Sequence, residues 1–219
     1  MKERFVCALV GAYAEASAFK ENDVGLFPPL AGAGELEKRR LDLLEERLTS
    51  LERFCEELLE KPKENPRYYS GSSATPIISQ VIPATLLFVR KPDELMRFVG
   101  RLYYERTEAS HNFALLYATV LVGILEGNKP GIAVDFAVRY LIGGRVFSGL
   151  EVPRDWILKT LSSPFKVGET DGSGYTGSLI GAHMETFVLP MLPIGWRRME
   201  KLAFRLYEAS QHVVVGEYK

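Results

Sequence analysis

Apolar and polar residues recur along most of this chain at the spacing of an α-helix. The clearest example is residues 35–61, where charged residues fill the positions between apolar ones and Pro62 ends the pattern. The apolar positions of this seam are Leu41, Leu44, Leu48, Leu51, Cys55 and Leu58. Such a seam is either an oligomer surface or a face that packs on the protein's own core. Because Leu43, Phe54 and Leu59 widen the stripe, packing on the protein's own core is favoured.

The same periodicity predicts helices in most other parts of the chain. Pro83 lies inside an apolar segment, residues 77–89, and is expected to kink or to begin a helix. The tail 212–215 is interpreted as a short strand or a docked extension. Strand-like alternation is not sustained anywhere, so we predict one all-α domain over residues 1–219. The further predicted helical segments are 3–19, 92–106, 113–125, 130–142, 153–161, 173–189 and 196–209.

The first predicted helix contains one acidic residue among many small ones. Alanines and Gly11 allow close helix crossing, which predicts a central, buried helix. A carboxylate in such a helix is costly unless it is paired, binds a cation or lies at an exposed end. Glu15 is therefore either at the exposed end of the helix or part of a functional site.

Two further stretches combine polar residues with a buried helix. Residues 168–182 begin as a polar, glycine-rich loop and continue as a helix of small residues, which is how an anion or metal site is often framed. A turn followed by a core helix is the alternative. His111 and Asn112 precede the apolar run 113–125 and are placed to line a pocket, although His111 could equally be an N-cap or a surface histidine.

Composition narrows the class of protein. The 219 residues carry a formal net charge of −1, so there is no basic field to attract nucleic acid. Cys7 and Cys55 lie in apolar helical patterns and are expected to be free, buried thiols. The opening residues imitate a secretory signal, but Glu3 disrupts its basic region, and no apolar run approaches the roughly 18 residues of a membrane span. We therefore expect a cytoplasmic protein with no membrane contact.

The order of these features resembles the ADP-ribosylglycohydrolase (dinitrogenase reductase activating glycohydrolase-like) family. The opening helix RFVCALVGAYAEASAF is similar to the family's Gly-Ala-rich first helix, and SGSSATPIISQVIPATLLF to its glycine-rich loop and apolar segment. The segment KPDELMRFVGRLYYERTEASHNFALLYATVLVGILEGN is similar to the one that leads through Thr-His into a long buried helix. TDGSGYTGSLIGA and LPIGWRRMEKL are similar to its closing Asp-x-Asp-Thr, Gly-Ala-rich and Pro-x-x-Trp segments.

The resemblance implies an all-helical fold that binds ADP-ribose near two magnesium ions, which activate water for glycosidic cleavage. It places Glu15 at an aspartate position of the first helix and Asp171 in the closing motif, as catalytic residues. The ligand-binding residues that it implies are Ser72, His111, Asn112, Glu169 and Thr170.

The metal motifs depart from the family pattern. The Asp-Asp-Thr that should begin the second helix is not recognisable near Glu35, and the closing motif is altered around Thr170 and Asp171. Two magnesium ions need several fixed carboxylates, so we assign no metal ligand and expect Mg²⁺ only if the family site survives. The chain is thus interpreted as a diverged relative that binds or hydrolyses an ADP-ribosyl or other ribosyl ligand. The alternative is a non-catalytic binding or interaction protein, a pseudoenzyme that keeps only the fold.

One compositional trend bears on the source. The chain has only two glutamines and four asparagines, with abundant Glu, Lys and Arg, which is a weak indication of a heat-adapted protein.

Overall fold

The computed structural model describes residues 1–18, 33–60, 79–102, 108–143, 151–162, 174–185 and 195–212. Within these ranges the chain forms nine α-helices and no strand, so the all-α prediction is confirmed for them. The tail 213–219 lies outside the described residues. The helices are α1 (Lys2–Ala18), α2 (Ala33–Glu60), α3 (Val81–Leu87), α4 (Pro92–Leu102), α5 (Glu108–Leu125), α6 (Pro130–Gly143), α7 (Glu151–Ser162), α8 (Tyr175–Met184) and α9 (Trp196–His212).

Helix boundaries follow local chemistry. Pro83 is the third residue of α3, where its missing N–H would have no helical acceptor, so the expectation that it begins a helix is confirmed. The predicted helix 173–189 is too long, because α8 ends at Met184 and Glu185 turns into the left-handed region with φ 54°. α5 also begins earlier than predicted, so His111 and Asn112 lie inside its first turns.

Helix α1 lies at the centre of the described core. It packs against α8, α9 and α3, and its side chains from Phe5 to Val10 are buried. The buried apolar side chains of all nine helices form one contiguous cluster. The prediction of a central, buried first helix is therefore confirmed.

The two cysteines are free and buried, as expected. Burial, together with nearby carboxylates, raises the pKa of the Cys7 thiol to about 11. Burial also raises the pKa of Cys55 well above its usual range. Both thiols therefore stay protonated and act as small apolar side chains.

The C-terminal half of the α2 seam is used inside the molecule. Leu48, Leu51, Cys55 and Leu58 are buried, while the side chains of Leu41 and Leu44 lie outside the described part. Arg198 of α9 clamps the helix by donating to Glu52 (Nε to Oε1, 2.8 Å) and to Glu45 (Nη1 to Oε1, 2.6 Å). The described part of this seam packs on the protein's own core, which was the interpretation favoured over an oligomer surface.

None of the described helices combines the length and the apolar character that crossing a membrane requires.

Candidate functional site

Helices α1 and α8 run antiparallel with their backbones in direct contact. A Cβ atom on Gly177 would lie 2.6 Å from the carbonyl carbon of Gly11, and one on Gly181 would lie 2.7 Å from that of Cys7. Real Cβ atoms do not approach backbone atoms this closely, so both α8 positions require glycine. The small residues of α8 thus serve its close crossing with α1.

The Glu15 carboxylate lies at the N-terminal end of α8. Its Oε2 accepts a hydrogen bond from the Gly177 N–H at 2.5 Å, and the residue is only 1% exposed. Gly177 is the third residue of α8, so its N–H has no acceptor within the helix. The N-cap residue Gly174, with φ 85°, provides no side-chain acceptor, and Glu15 supplies one from another helix. The alternative in which Glu15 lies at an exposed helix end is therefore wrong.

Four aromatic rings gather beside this end of α8. The Tyr175 ring lies 4.4 Å from Tyr117 and 5.1 Å from Phe113, measured between centroids and in edge-on geometry. Phe113 also meets Trp156 of α7 edge-on at 5.3 Å. Trp156 is 37% exposed, so this aromatic cluster (Phe113, Tyr117, Trp156, Tyr175) extends from the core to the surface.

Hydroxyl groups connect the aromatic cluster to α8 and α3. The Tyr117 hydroxyl hydrogen-bonds the Ser178 hydroxyl, and Ser178 Oγ also lies 2.9 Å from the Tyr175 carbonyl oxygen, to which it can donate. The Ser79 hydroxyl donates to the Tyr175 phenolic oxygen at 2.7 Å. These bonds fix the orientation of two rings in the cluster, because a buried phenol loses stability when it turns away from its partner.

The other predicted residues of the described part occupy a different side of α5. The imidazole of His111 lies against α4, where a Cβ on Gly100 would be 3.7 Å from its Nε2. Asn112 is only 3% exposed, and its Oδ1 accepts no hydrogen bond from the described residues. The structure thus places Glu15 against α8 and His111 against α4.

Four of the predicted site residues lie outside the described residues, namely Ser72, Glu169, Thr170 and Asp171. Within the described ranges, no three His, Cys, Asp or Glu side chains lie close enough together to hold a metal ion.

Sequence reasoning did not single out the aromatic cluster. Phe113 and Tyr117 are four residues apart on α5 and therefore share a face, which was the available signal. Tyr175 and Trp156 come from distant parts of the chain, and nothing in their local sequence indicates that they meet those two rings.

Searches against protein-family models, curated proteins and solved structures found no significant match to this chain. The resemblance to the ADP-ribosylglycohydrolase family therefore stays a prediction that rests on the motifs alone.

Proposed function

We propose that the protein binds an ADP-ribose-like or other ribosyl ligand, with catalysis altered or lost. The observation that carries this proposal is the aromatic cluster at the N-terminal end of α8, with Trp156 reaching the surface. Aromatic faces stack on nucleobases, so the exposed Trp156 ring at the edge of this cluster fits the base of such a ligand. The N-terminal end of α8 is capped by Glu15, so the phosphates are assigned to a different part of the molecule.

The position of Glu15 supports altered rather than family-type catalysis. Its carboxylate is buried and accepts a backbone hydrogen bond at 2.5 Å. A magnesium ion in a hydrolytic site keeps several water molecules, which need open space around the carboxylates that hold it. A helix-capping carboxylate does not offer that space, so the proposed activity is binding without two-metal hydrolysis.

Titration of ADP-ribose tests this proposal directly. The chain has two tryptophans, so the Trp196→Phe variant leaves Trp156 as the only tryptophan reporter. We expect ADP-ribose to change Trp156 fluorescence and to release or absorb heat in calorimetry. In the wild-type background, Trp156→Ala should weaken binding about tenfold, as for loss of one stacking ring. Met184→Ala, an exposed apolar residue near the other end of α8, is the matched control.

The magnesium dependence is tested through Asp171. If the family site survives, Mg²⁺ should strengthen ADP-ribose binding and Asp171→Ala should abolish that gain while thermal unfolding stays unchanged. Asp42→Ala, an exposed aspartate on α2, is the control for loss of one surface carboxylate. Equal binding by the Asp171→Ala variant and the wild type, with and without Mg²⁺, would remove Asp171 from the site.

The alternative is a non-catalytic binding or interaction protein that does not recognise ribose. Use of Glu15 as a helix cap favours it, because the single buried carboxylate of α1 then has a purely structural role. Absence of both heat and fluorescence change at millimolar ADP-ribose, with and without Mg²⁺, would reject ribosyl binding and leave this alternative.

A further inference from the structure

Helix α6 presents apolar side chains to solvent. Ile132 is 58% exposed and Phe136, four residues later, is 59% exposed. The Phe136 ring stacks on that of Tyr140, one turn further on, at 6.1 Å between centroids. Tyr140 is half-buried against the core and donates its hydroxyl to Asp93 of α4 at 2.9 Å. The three residues, spaced four apart, form one stripe with two exposed members, here called the α6 face. Most exposed apolar residues of a monomer are scattered singly, so a stripe of this kind marks an interaction surface.

The α6 face also carries one charge of each sign. Asp135 and Arg139 are both exposed and one helical turn apart. At 100° per residue, these two and the exposed pair Ile132 and Phe136 fall within an arc of about 100° around the helix. Asp135 lies 3.6 Å from Arg154 in a solvent-exposed ion pair, while Arg139 has no ion pair among the described residues.

This charge order is self-complementary. When two copies of a helix lie antiparallel about a twofold axis, a residue that precedes the axis by a given distance faces the residue that follows it by the same distance in the other copy. With the axis at residue 137, Asp135 and Arg139 are each two residues, or about 3 Å, from the centre. Asp135 of each copy then faces Arg139 of the other, and the two Phe136 rings lie side by side at the axis.

We propose that the protein self-associates through the α6 face, with the two α6 helices antiparallel about a twofold axis. Ile132 of one copy then packs near Tyr140 of the other, so that the apolar stripe is covered along its length. The face is a single helix stripe and is smaller than a standard interface, so the dimer is weak and forms at micromolar or higher concentration. This inference is independent of ribosyl binding, since the α6 face and the aromatic cluster share no residue.

The test is sedimentation velocity of the full chain over a hundredfold range of concentration. We expect the wild type to move from monomer to dimer, and Phe136→Ser to weaken association about tenfold or more, as for a residue at an interface centre. Met184→Ser removes an apolar side chain of similar exposure on α8 and should leave association unchanged. Far-ultraviolet circular dichroism and melting temperature confirm that each variant is folded.

Charge reversal distinguishes the proposed pairing from non-specific hydrophobic association. Arg139→Glu places a glutamate opposite Asp135 of the other copy and should weaken association several-fold. Adding Asp135→Arg restores opposite charges across the axis, and Arg154→Ala removes the cation that lies 3.6 Å from residue 135 in the same chain. The triple variant should recover association to within about twofold of an Arg154→Ala control. A wild type that stays monomeric at all concentrations would overturn the proposal. Equal weakening by the Arg139→Glu variant and the triple variant would overturn the antiparallel pairing.

Discussion

The two polar side chains near the ends of α1 each complete the end of another helix, but in opposite surroundings. Near its start, Arg4 donates to the Ile124 carbonyl in the last turn of α5 (Nη1 to O, 2.9 Å) and to Glu185, which follows α8 (Nε to Oε1, 2.8 Å). Near its end, Glu15 accepts from the first turn of α8. In both contacts the side-chain charge is the one that the helix dipole favours. The Arg4 cation lies at helix C-termini, and the Glu15 anion lies at a helix N-terminus.

The two ends differ in exposure, and this difference sets how much each contact contributes. The Arg4 side chain is partly exposed and Glu185 is exposed, so water replaces either partner when the other is removed. Glu15 is buried, and water does not replace it without local opening. A buried donor that loses its acceptor costs about 1–3 kcal/mol, whereas water screens an exposed ion pair and leaves it a small contribution. The same capping chemistry therefore stabilises the fold mainly at the buried end.

The largest expected effect comes from the glycine contact between the two ends. Gly181→Ala would place a methyl group on the Cys7 carbonyl, so α1 and α8 must separate. We expect a loss of about 3 kcal/mol of unfolding free energy, as for severe overpacking. The measurement is urea unfolding followed by circular dichroism.

Gly131→Ala is the matched control for that substitution. Gly131 lies in the first turn of α6, and nothing lies within 4 Å of its Cβ position. Alanine is the better helix former, so this variant should be neutral or slightly more stable. Equal effects of the two substitutions would mean that the α1–α8 contact does not require glycine.

Substitution of Glu15 distinguishes a helix cap from a functional carboxylate. Glu15→Ala should lose about 2–3 kcal/mol, because the Gly177 N–H is left buried without an acceptor and a cavity opens. Glu15→Gln keeps an acceptor oxygen and should cost only about 1 kcal/mol, the difference between a charged and a neutral hydrogen bond. The measurement is the same unfolding experiment at pH 7.

A gain in unfolding free energy on substitution would instead support a catalytic role for Glu15. Residues held in place for function often lower stability, and their neutral replacements raise it. A Glu15→Gln variant that is more stable than the wild type would therefore show that the carboxylate is strained, and would revive the hydrolase interpretation.

The helices were predictable from sequence because their cause is local. The spacing of apolar residues in α2 and the proline at the start of α4 specify a helix without knowledge of the partner. The positions at which the helices end were less predictable. α8 ends at Met184, although apolar residues such as Phe187 and Val188 follow in the sequence.

The candidate site was predictable only in part, because its geometry depends on pairs distant in sequence. Glu15 was identified from the cost of burying a carboxylate, but its acceptor role depends on Gly177, 162 positions away. Tyr117 meets Tyr175 for the same kind of reason, since each lies on a different helix. Cross-helix contacts of this kind leave no periodic signal in a single sequence.

The smallest expected effect concerns the exposed end of α1, and it depends on pH. The hydrogen bond from Arg4, together with its charge, lowers the pKa of Glu185 below its usual range. The folded state thus favours the ionised carboxylate, so the pair stabilises the protein fully above the unfolded pKa of about 4.3. That stabilisation is lost as the pH falls through the lowered pKa.

Arg4→Met should therefore lower the melting temperature slightly at pH 7, by less than Glu15→Gln does. The difference from the wild type should shrink as the pH falls below about 4, and also in high salt, which screens exposed charges. What remains at low pH is the bond to the Ile124 carbonyl, which does not titrate. Arg97→Met, which removes an exposed ion pair to Glu94 within α4, is the control and should have almost no effect. If Arg4→Met cost as much as Glu15→Ala at every pH, exposure would not be what separates the two ends of α1.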